Sequence, residues 1–308
     1  MNTRFDPELA RLDFEDRLVA LCEDATLPLL ERARLVAIAA RRIDVCCMRR
    51  VGRLKRLLAR SEGTEEKLRT MAWQLEAVAR ETHMLTGRIY RLVTRDLLPA
   101  LEAEGIHIER LDALDDADHR SLRDRCRQTL EGVITPKIVA DGNEFPHVRN
   151  LRPALLAPSR GGGASNLLLV ELPSGDGTMP RLIRLRDSHR FIPLEQLIAA
   201  ELSVSHDIAA GDVHLFRVTR NPSGTFDSEY DVMGAVEQQA VLRPFQEVVR
   251  LETDDRMPPP LRARLLLALQ READLPAATL REHDVYTATH LLDLTALEEL
   301  AGLDVPPD

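Results

Sequence analysis

Between Glu31 and Arg60 the sequence sets ten basic residues (Arg32, Arg34, Arg41, Arg42, Arg49, Arg50, Arg53, Lys55, Arg56 and Arg60) against two acids, Glu31 and Asp44. Arginine presents a planar fork of N–H donors that matches phosphate oxygens. A helix of this composition can therefore hold a nucleotide, a polyphosphate or an RNA backbone. The same composition also arises on a solvated helix face whose arginines pair with acids elsewhere in the chain. No aromatic residue interleaves with the run, so it lacks the stacking platforms of single-strand nucleic-acid binders.

Other residue types that could do chemistry are scattered. There is no GxxxxGK[ST] phosphate loop, no GxGxxG after a strand, and no HExxH or GxSxG element. Gly161 to Gly163, in SRGGGAS, precede neither a lysine nor a helix start, so they read as a hairpin between strands around Leu155 and Leu168 rather than as an anion nest. None of the nine histidines lies three or four residues from another. His147, in EFPHVRN, and His290 stand out only by their loop and pre-helix positions. Cys22, Cys46, Cys47 and Cys126 offer no CxxC pair, and adjacent Cys46 and Cys47 on a helix point about 100° apart, which suits buried thiols better than a shared metal.

The elements that must position these residues fall into two textures. From Glu8 to about Gly105 the chain reads as helices, broken before Pro28 and at Ser61 to Thr64. In the longest, Leu68, Met71, Leu75, Val78, Thr82, Leu85, Ile89 and Leu92 recur at three- and four-residue steps, the seam of a packed helix capped by Thr64. After Gly105 short segments alternate with turn signals. A helix is expected at about Asp115 to Glu131, followed by strands in ITPKIVADGNEFPHV, NLLLVELP, RLIRLR, RFIPL, VHLFRVTRN, VVRLET and DVYTAT. Helices are expected at about Leu194 to Leu202, Ser228 to Arg243, Leu261 to Ala273 and Leu294 to Ala301. This pattern predicts an α+β fold: a helical N-terminal domain, then a mixed sheet with helices on one face, with the boundary near Gly105 to Asp112.

With 308 residues, 44% of them hydrophobic, the chain can bury substantial cores. Its formal net charge of -9 disfavours whole-surface attraction to nucleic acid or anionic membranes, so any polyanion site must be local. No apolar run approaches the roughly 20 residues a membrane-spanning helix needs. The charged start argues against a secretory signal, and a cytoplasmic location is the expectation.

Several segments are more specific. RFDPELARLDFEDRLVALCED carries Arg4, Phe5, Glu8, Leu9, Leu12, Phe14 and Arg17 in a recognisable order. LPLLERARLVAIAARRIDVCCMRRVGRLK carries Pro28, Leu29, Leu30, Glu31, Arg32, Ala37, Ile38, Asp44, Met48, Arg50 and Val51. LLPALEAEGIHI follows, then ITPKIVADGNEFPHVRNL with Thr135, Pro136, Val139, Phe145, Pro146, Asn150 and Leu151, and then RFIPLEQLIAAEL, FRVTRN, VVRLET and MPPPLRARLL. Taken together these resemble the N-terminal and head domains of type-one polyphosphate kinase (ATP:polyphosphate phosphotransferase), from Arg4 to about Asp304.

The resemblance implies a helical N-terminal domain over residues 1–106 and an α+β head domain over 107–308, the latter taking part in dimer formation in the family. It places Arg42 at the position of the family's adenine contact, an asparagine there; a guanidinium has no acceptor to complete that pairing. Val45, Cys46 and Cys47 stand where the family motif has Glu, Phe and Phe, and Arg11 where it has Trp. The family's phosphorylated histidine and its remaining nucleotide and magnesium ligands belong to C-terminal domains, so no catalytic residue and no metal ligand is assigned here. Arg49, Arg50 and Arg53 are the anion-binding candidates. Two functions follow: a module that is non-catalytic alone, dimerising, binding polyphosphate or nucleotide, or modulating a full-length kinase; or the N-terminal part of a split active kinase. The partners implied are a second copy, a polyphosphate kinase catalytic chain or polyphosphate, with no specific nucleic acid. ATP and magnesium are implied only beside a catalytic chain.

Overall fold

The computed structural model describes residues 7–61, 63–130, 133–159, 166–173, 179–186, 188–221, 247–272, 278–289 and 291–303. The expected helix at Ser228 to Arg243 and the glycines of SRGGGAS lie outside the described residues.

Helices α1 (Pro7–Cys22), α2 (Leu29–Cys46), α3 (Gly52–Ala59), α4 (Glu65–Leu92) and α5 (Leu98–Ala103) build the first third of the chain. The expected breaks fall where the sequence places them, and Thr64 caps α4 by accepting the Lys67 N–H at 3.4 Å. The apolar seam of α4 is buried from Met71 to Leu92. Its polar member, Thr82, returns its hydroxyl to the Val78 carbonyl, so no buried donor is stranded. Val19, Ala33, Val36, Ala37, Leu85 and Ile89 interlock in one cluster, and Leu12, Val51, Leu54, Met71, Leu75 and Val78 in another. Two single π-turns, Cys47–Val51 and Val93–Leu97, join α2 to α3 and α4 to α5 without ending either helical run.

The remainder is α+β with mixed sheets. Strands β2 (Lys137–Val139), β3 (Pro153–Pro158), β4 (Leu167–Glu171), β7 (His214–Arg220), β8 (Val248–Asp254) and β9 (Val285–Ala288) form a six-stranded sheet in the order β2-β4-β3-β7-β8-β9. All its neighbours are antiparallel except β8 and β9. A small sheet pairs β1 (His107–Ile108) in parallel with β6 (Arg190–Pro193), and β6 antiparallel with β5 (Leu182–Arg184). On either side of the SRGGGAS glycines β3 and β4 pair antiparallel, the pairing extended by Ser159 N–H donating to Asn166 O at 2.8 Å.

Strand alternation sorts the core. Leu156, Leu169, Phe216, Val218 and Leu251 turn to Leu265 and Leu269 of α8 (Pro259–Arg271). Leu155, Ala157, Leu168, Val170 and Leu215 turn instead to α7 (Leu194–Ser205), with α6 (Asp116–Leu130) adding Leu122 and Leu130. Leu294–Gly302 is a 3₁₀ helix rather than an α-helix. Its Leu294, Leu297 and Leu300 recur every three residues, which lines up one face at three residues per turn. That face packs with Val36, Ala37 and Ile43 of α2, so late residues of the chain complete the N-terminal core.

Two glycines inside helices sit in opposite surroundings. A Cβ at Gly52 would lie 2.7 Å from the side chain of Asn221, whose amide donates to the Gly52 carbonyl at 3.2 Å. A Cβ at Gly87 would meet only the flexible end of Arg91, at 3.4 Å. Gly52→Ala should therefore destabilise the protein by about 1–3 kcal/mol through overpacking. Gly87→Ala should stabilise it by up to about 1 kcal/mol through helix propensity. Urea denaturation of the two variants checks the opposite signs.

Candidate functional site

A buried charge cluster lies where the helices meet the six-stranded sheet. On β8, Arg250 and Glu252 are two residues apart and so share a face; Arg217 of β7 lies beside them. Asp44 projects from the last turn of α2 into this face. Arg217 holds it with both terminal nitrogens, Nη1 to Oδ2 and Nη2 to Oδ1, each at 3.0 Å. Arg250 Nη2 reaches the same Oδ1 at 2.7 Å, Arg217 Nε donates to Glu252 at 2.8 Å, and Asp293 lies 3.4 Å from Arg217. No member exceeds 6% exposure.

Three carboxylates share two guanidiniums, and their protonation tendencies separate. Burial pushes Asp44 up, and the nearby Glu252 and Asp293 add to that. Burial acts against Glu252 and Asp293 too, but the arginines outweigh it and hold both below the usual carboxylate range. The adjoining cavity, lined by Tyr90, Thr86, Arg217, Arg250 and Glu252, measures about 20 Å³, enough for a water molecule and far too small for a nucleotide or phosphate. The cluster is a structural junction, not a substrate site.

The basic run divides once its partners are seen. Arg32 is buried and pairs with Asp96 at 2.6 Å; Arg34 lies 3.9 Å from Glu31; Arg41 pairs with Glu298 and Arg56 with Glu247. Lys55 is buried against Asp284 and also donates to Thr279 O at 3.1 Å. Burial depresses the Lys55 ammonium, and Asp284 opposes that shift. Arg42 clasps Glu15 in a bidentate fork, Nε to Oε2 at 2.8 Å and Nη2 to Oε1 at 2.8 Å, while its guanidinium lies 4.7 Å from the centre of the exposed Phe14 ring. What Arg42 presents outward is a fixed cationic plate with no acceptor.

Arg49 and Arg53 remain. They lie four residues apart at the π-turn and the start of α3, and among the described residues neither has an ion-pair partner. Arg50, between them, and Arg60, at the end of the run, are already engaged. The three anion candidates thus share one segment, but only Arg49 and Arg53 keep their donors for a ligand.

His147 is half-buried, and burial with the nearby Arg220 pulls its imidazole down to about 4, so it is neutral near pH 7. His290 lies outside the described residues. Cys22, Cys46 and Cys47 are buried and in no disulfide, while the side chain of Cys126 lies outside the described residues. Among the described residues no group of three or more histidine, cysteine, aspartate or glutamate side chains is placed to hold a metal ion. None of the described helices is long and apolar enough to cross a membrane.

A helical bundle fused through a buried charge junction to a mixed sheet defines the class of protein. The polyphosphate kinase N-terminal domain matches residues 4–109 and the polyphosphate kinase middle domain matches residues 117–300. The chain belongs to the polyphosphate kinase family. It is 33% identical over 97% of its length to the polyphosphate kinase of Mycobacterium ulcerans, and 32% identical over the same share to that of Mycobacterium tuberculosis. It spans 41% of the length of each of these relatives. Its fold is similar to the crystal structure of polyphosphate kinase from Porphyromonas gingivalis, with a TM-score of 0.71 at 18% identity, covering 98% of this chain and 42% of that one.

Removing the shared carboxylate leaves Arg217 and Arg250 buried with one acid fewer. Asp44→Ala should lower the unfolding free energy by about 3–5 kcal/mol. Arg42→Ala, which breaks a half-exposed pair, should cost at most about 1 kcal/mol. Chemical denaturation of both variants measures the contrast.

Proposed function

We propose that this chain is a polyphosphate-kinase-like module, non-catalytic alone, that binds a phosphate polyanion at Arg49 and Arg53, with Arg50 as a weaker contributor. The observation that carries the reading is the division of the basic run. Most of its cations are committed to acids within the fold, whereas Arg49 and Arg53 are not, and they share one helical face. Two forked cations at that spacing suit successive phosphoryl groups of a linear polyphosphate, which offers charge at every unit and asks for no base recognition. Arg42 does not fit the adenine contact that the family resemblance assigns to its position, because it only donates and Glu15 already occupies it. ATP and magnesium therefore belong to this reading only beside a catalytic chain. Division into a helical domain over 1–106 and a head domain over 107–308, self-association through the latter and a cytoplasmic setting complete the proposal.

The alternative is that the chain is the N-terminal part of a split active kinase. It requires a separate chain to supply phosphoryl transfer.

Titration with long-chain polyphosphate separates structural arginines from binding ones. Arg49→Ala with Arg53→Ala should weaken binding about tenfold or more and flatten its salt dependence. Arg41→Ala, already paired with Glu298, should leave affinity near that of the native chain. Unchanged affinity in the double variant would sink the assignment. Polyphosphate growth from ATP by this chain alone would overturn the non-catalytic reading.

A further inference from the structure

The two edges of the six-stranded sheet are built differently. At the β2 edge, Pro136 and Lys137 supply the imino acid and the charge that discourage strand pairing. The β9 edge, Val285-Tyr286-Thr287-Ala288, has neither charge nor proline and is rich in strand-forming residues. Ala288 O accepts the Asp255 N–H at 3.1 Å, so the main-chain groups of Ala288 face β8. With a period of two, those of Tyr286 also face β8; the N–H and C=O of Thr287 and the C=O of Val285 point the other way, while the Val285 N–H donates to Glu282 O.

That outward side opens on a groove of about 720 Å³. Val285 and Thr287 project to one sheet face and Tyr286 to the other, yet all three line the groove, so it follows the strand edge rather than a sheet face. Across it, Met84, Gly87 and Arg91 lie in line on α4, and the His83 ring rests 4.4 Å from that of Tyr286. Gly87 keeps the opposite wall low. Arg88 is committed to Asp16 and Glu23, whereas Arg91 makes no ion pair among the described residues and acts on Glu23 only at longer range.

We propose that the groove between α4 and β9 is a strand-addition site for an extended segment of a partner protein, one that pairs with Thr287 and the Val285 carbonyl and carries a carboxylate for Arg91. Such a segment satisfies the outward main-chain groups and the unpaired cation together. A helix satisfies neither set of edge donors and acceptors. A phosphate chain would meet Asp16 and Glu81, which line the same groove. A second copy of β9 has no acid in Val285–Ala288 to meet Arg91. The proposal does not depend on polyphosphate binding at Arg49 and Arg53.

The test uses the full chain and a fluorescein-labelled hexapeptide, Thr-Val-Glu-Val-Thr-Val, followed by anisotropy, with long-chain polyphosphate as competitor. Saturable binding is expected, polyphosphate should not displace the peptide, and N-methylation of alternate peptide amides should weaken binding about tenfold or more, because strand addition runs through main-chain hydrogen bonds. Thr287→Pro removes an outward N–H without a bond to β8, so it should keep the native melting temperature and lose the peptide. Arg91→Ala should weaken binding and reduce its salt dependence. Failure of the native chain to bind, equal binding of the N-methylated peptide, displacement by polyphosphate, or full binding by a folded Thr287→Pro variant overturns the proposal. If Thr287→Pro does not fold, the N-methylated peptide against the native chain decides it.

Discussion

Asp44 is the residue through which the two textures of this chain become one structure. It enters from a helix whose other charged residues are four arginines and Glu31, and meets Arg217 and Arg250 on neighbouring strands, with Glu252 and Asp293 completing the group. Buried charges contribute little net stability when paired well and cost several kcal/mol when one partner is lost. The cluster therefore specifies which helix face meets which strand face more than it strengthens the contact. Around it the apolar surfaces follow: Val249 of β8 joins the α3 and α4 cluster, and Leu294, Leu297 and Leu300 close over α2.

The same junction governs what the arginines can do. A basic helix packed against a charged sheet must neutralise the cations that turn inward, and Lys55, Arg56 and Arg32 meet that requirement with Asp284, Glu247 and Asp96. Only cations on the outward side of the π-turn and α3 stay available. The π-turn between α2 and α3 lets the helix continue past Asp44 while Arg49 remains on the surface. The phosphate site proposed at Arg49 and Arg53 is thus what is left over after the fold has been neutralised, which confines it to a short stretch of the chain.

Much of this was legible in the residues. The α4 seam, the breaks before Pro28 and at Ser61 to Thr64, and the strand segments follow directly from hydrophobic period and turn chemistry. The family pattern, which retains Asp44 among its polar matches, pointed to the right fold. The charge junction was not read, although its signal was present: Arg217 interrupts a β-branched strand, and Arg250 and Glu252 alternate onto one face of another. Periodicity shows that such residues share a face, but their partners lie more than 170 positions away in sequence, on α2. The division of the basic run was hidden for the same reason, since Arg56 and Lys55 find their acids across the fold. The 3₁₀ winding of Leu294–Gly302 was readable in its three-residue leucine spacing, which an α-helical reading passed over.

The buried charges join the helices and the sheet into a single cooperative unit. Trp73, the sole tryptophan, reports on α4, and amide exchange at Val218 and Leu251 reports on β7 and β8. In a urea titration read by both probes, coincident transitions with the same midpoint are expected. Loss of the Trp73 signal at a lower urea concentration, with the strand amides still protected, would contradict this expectation.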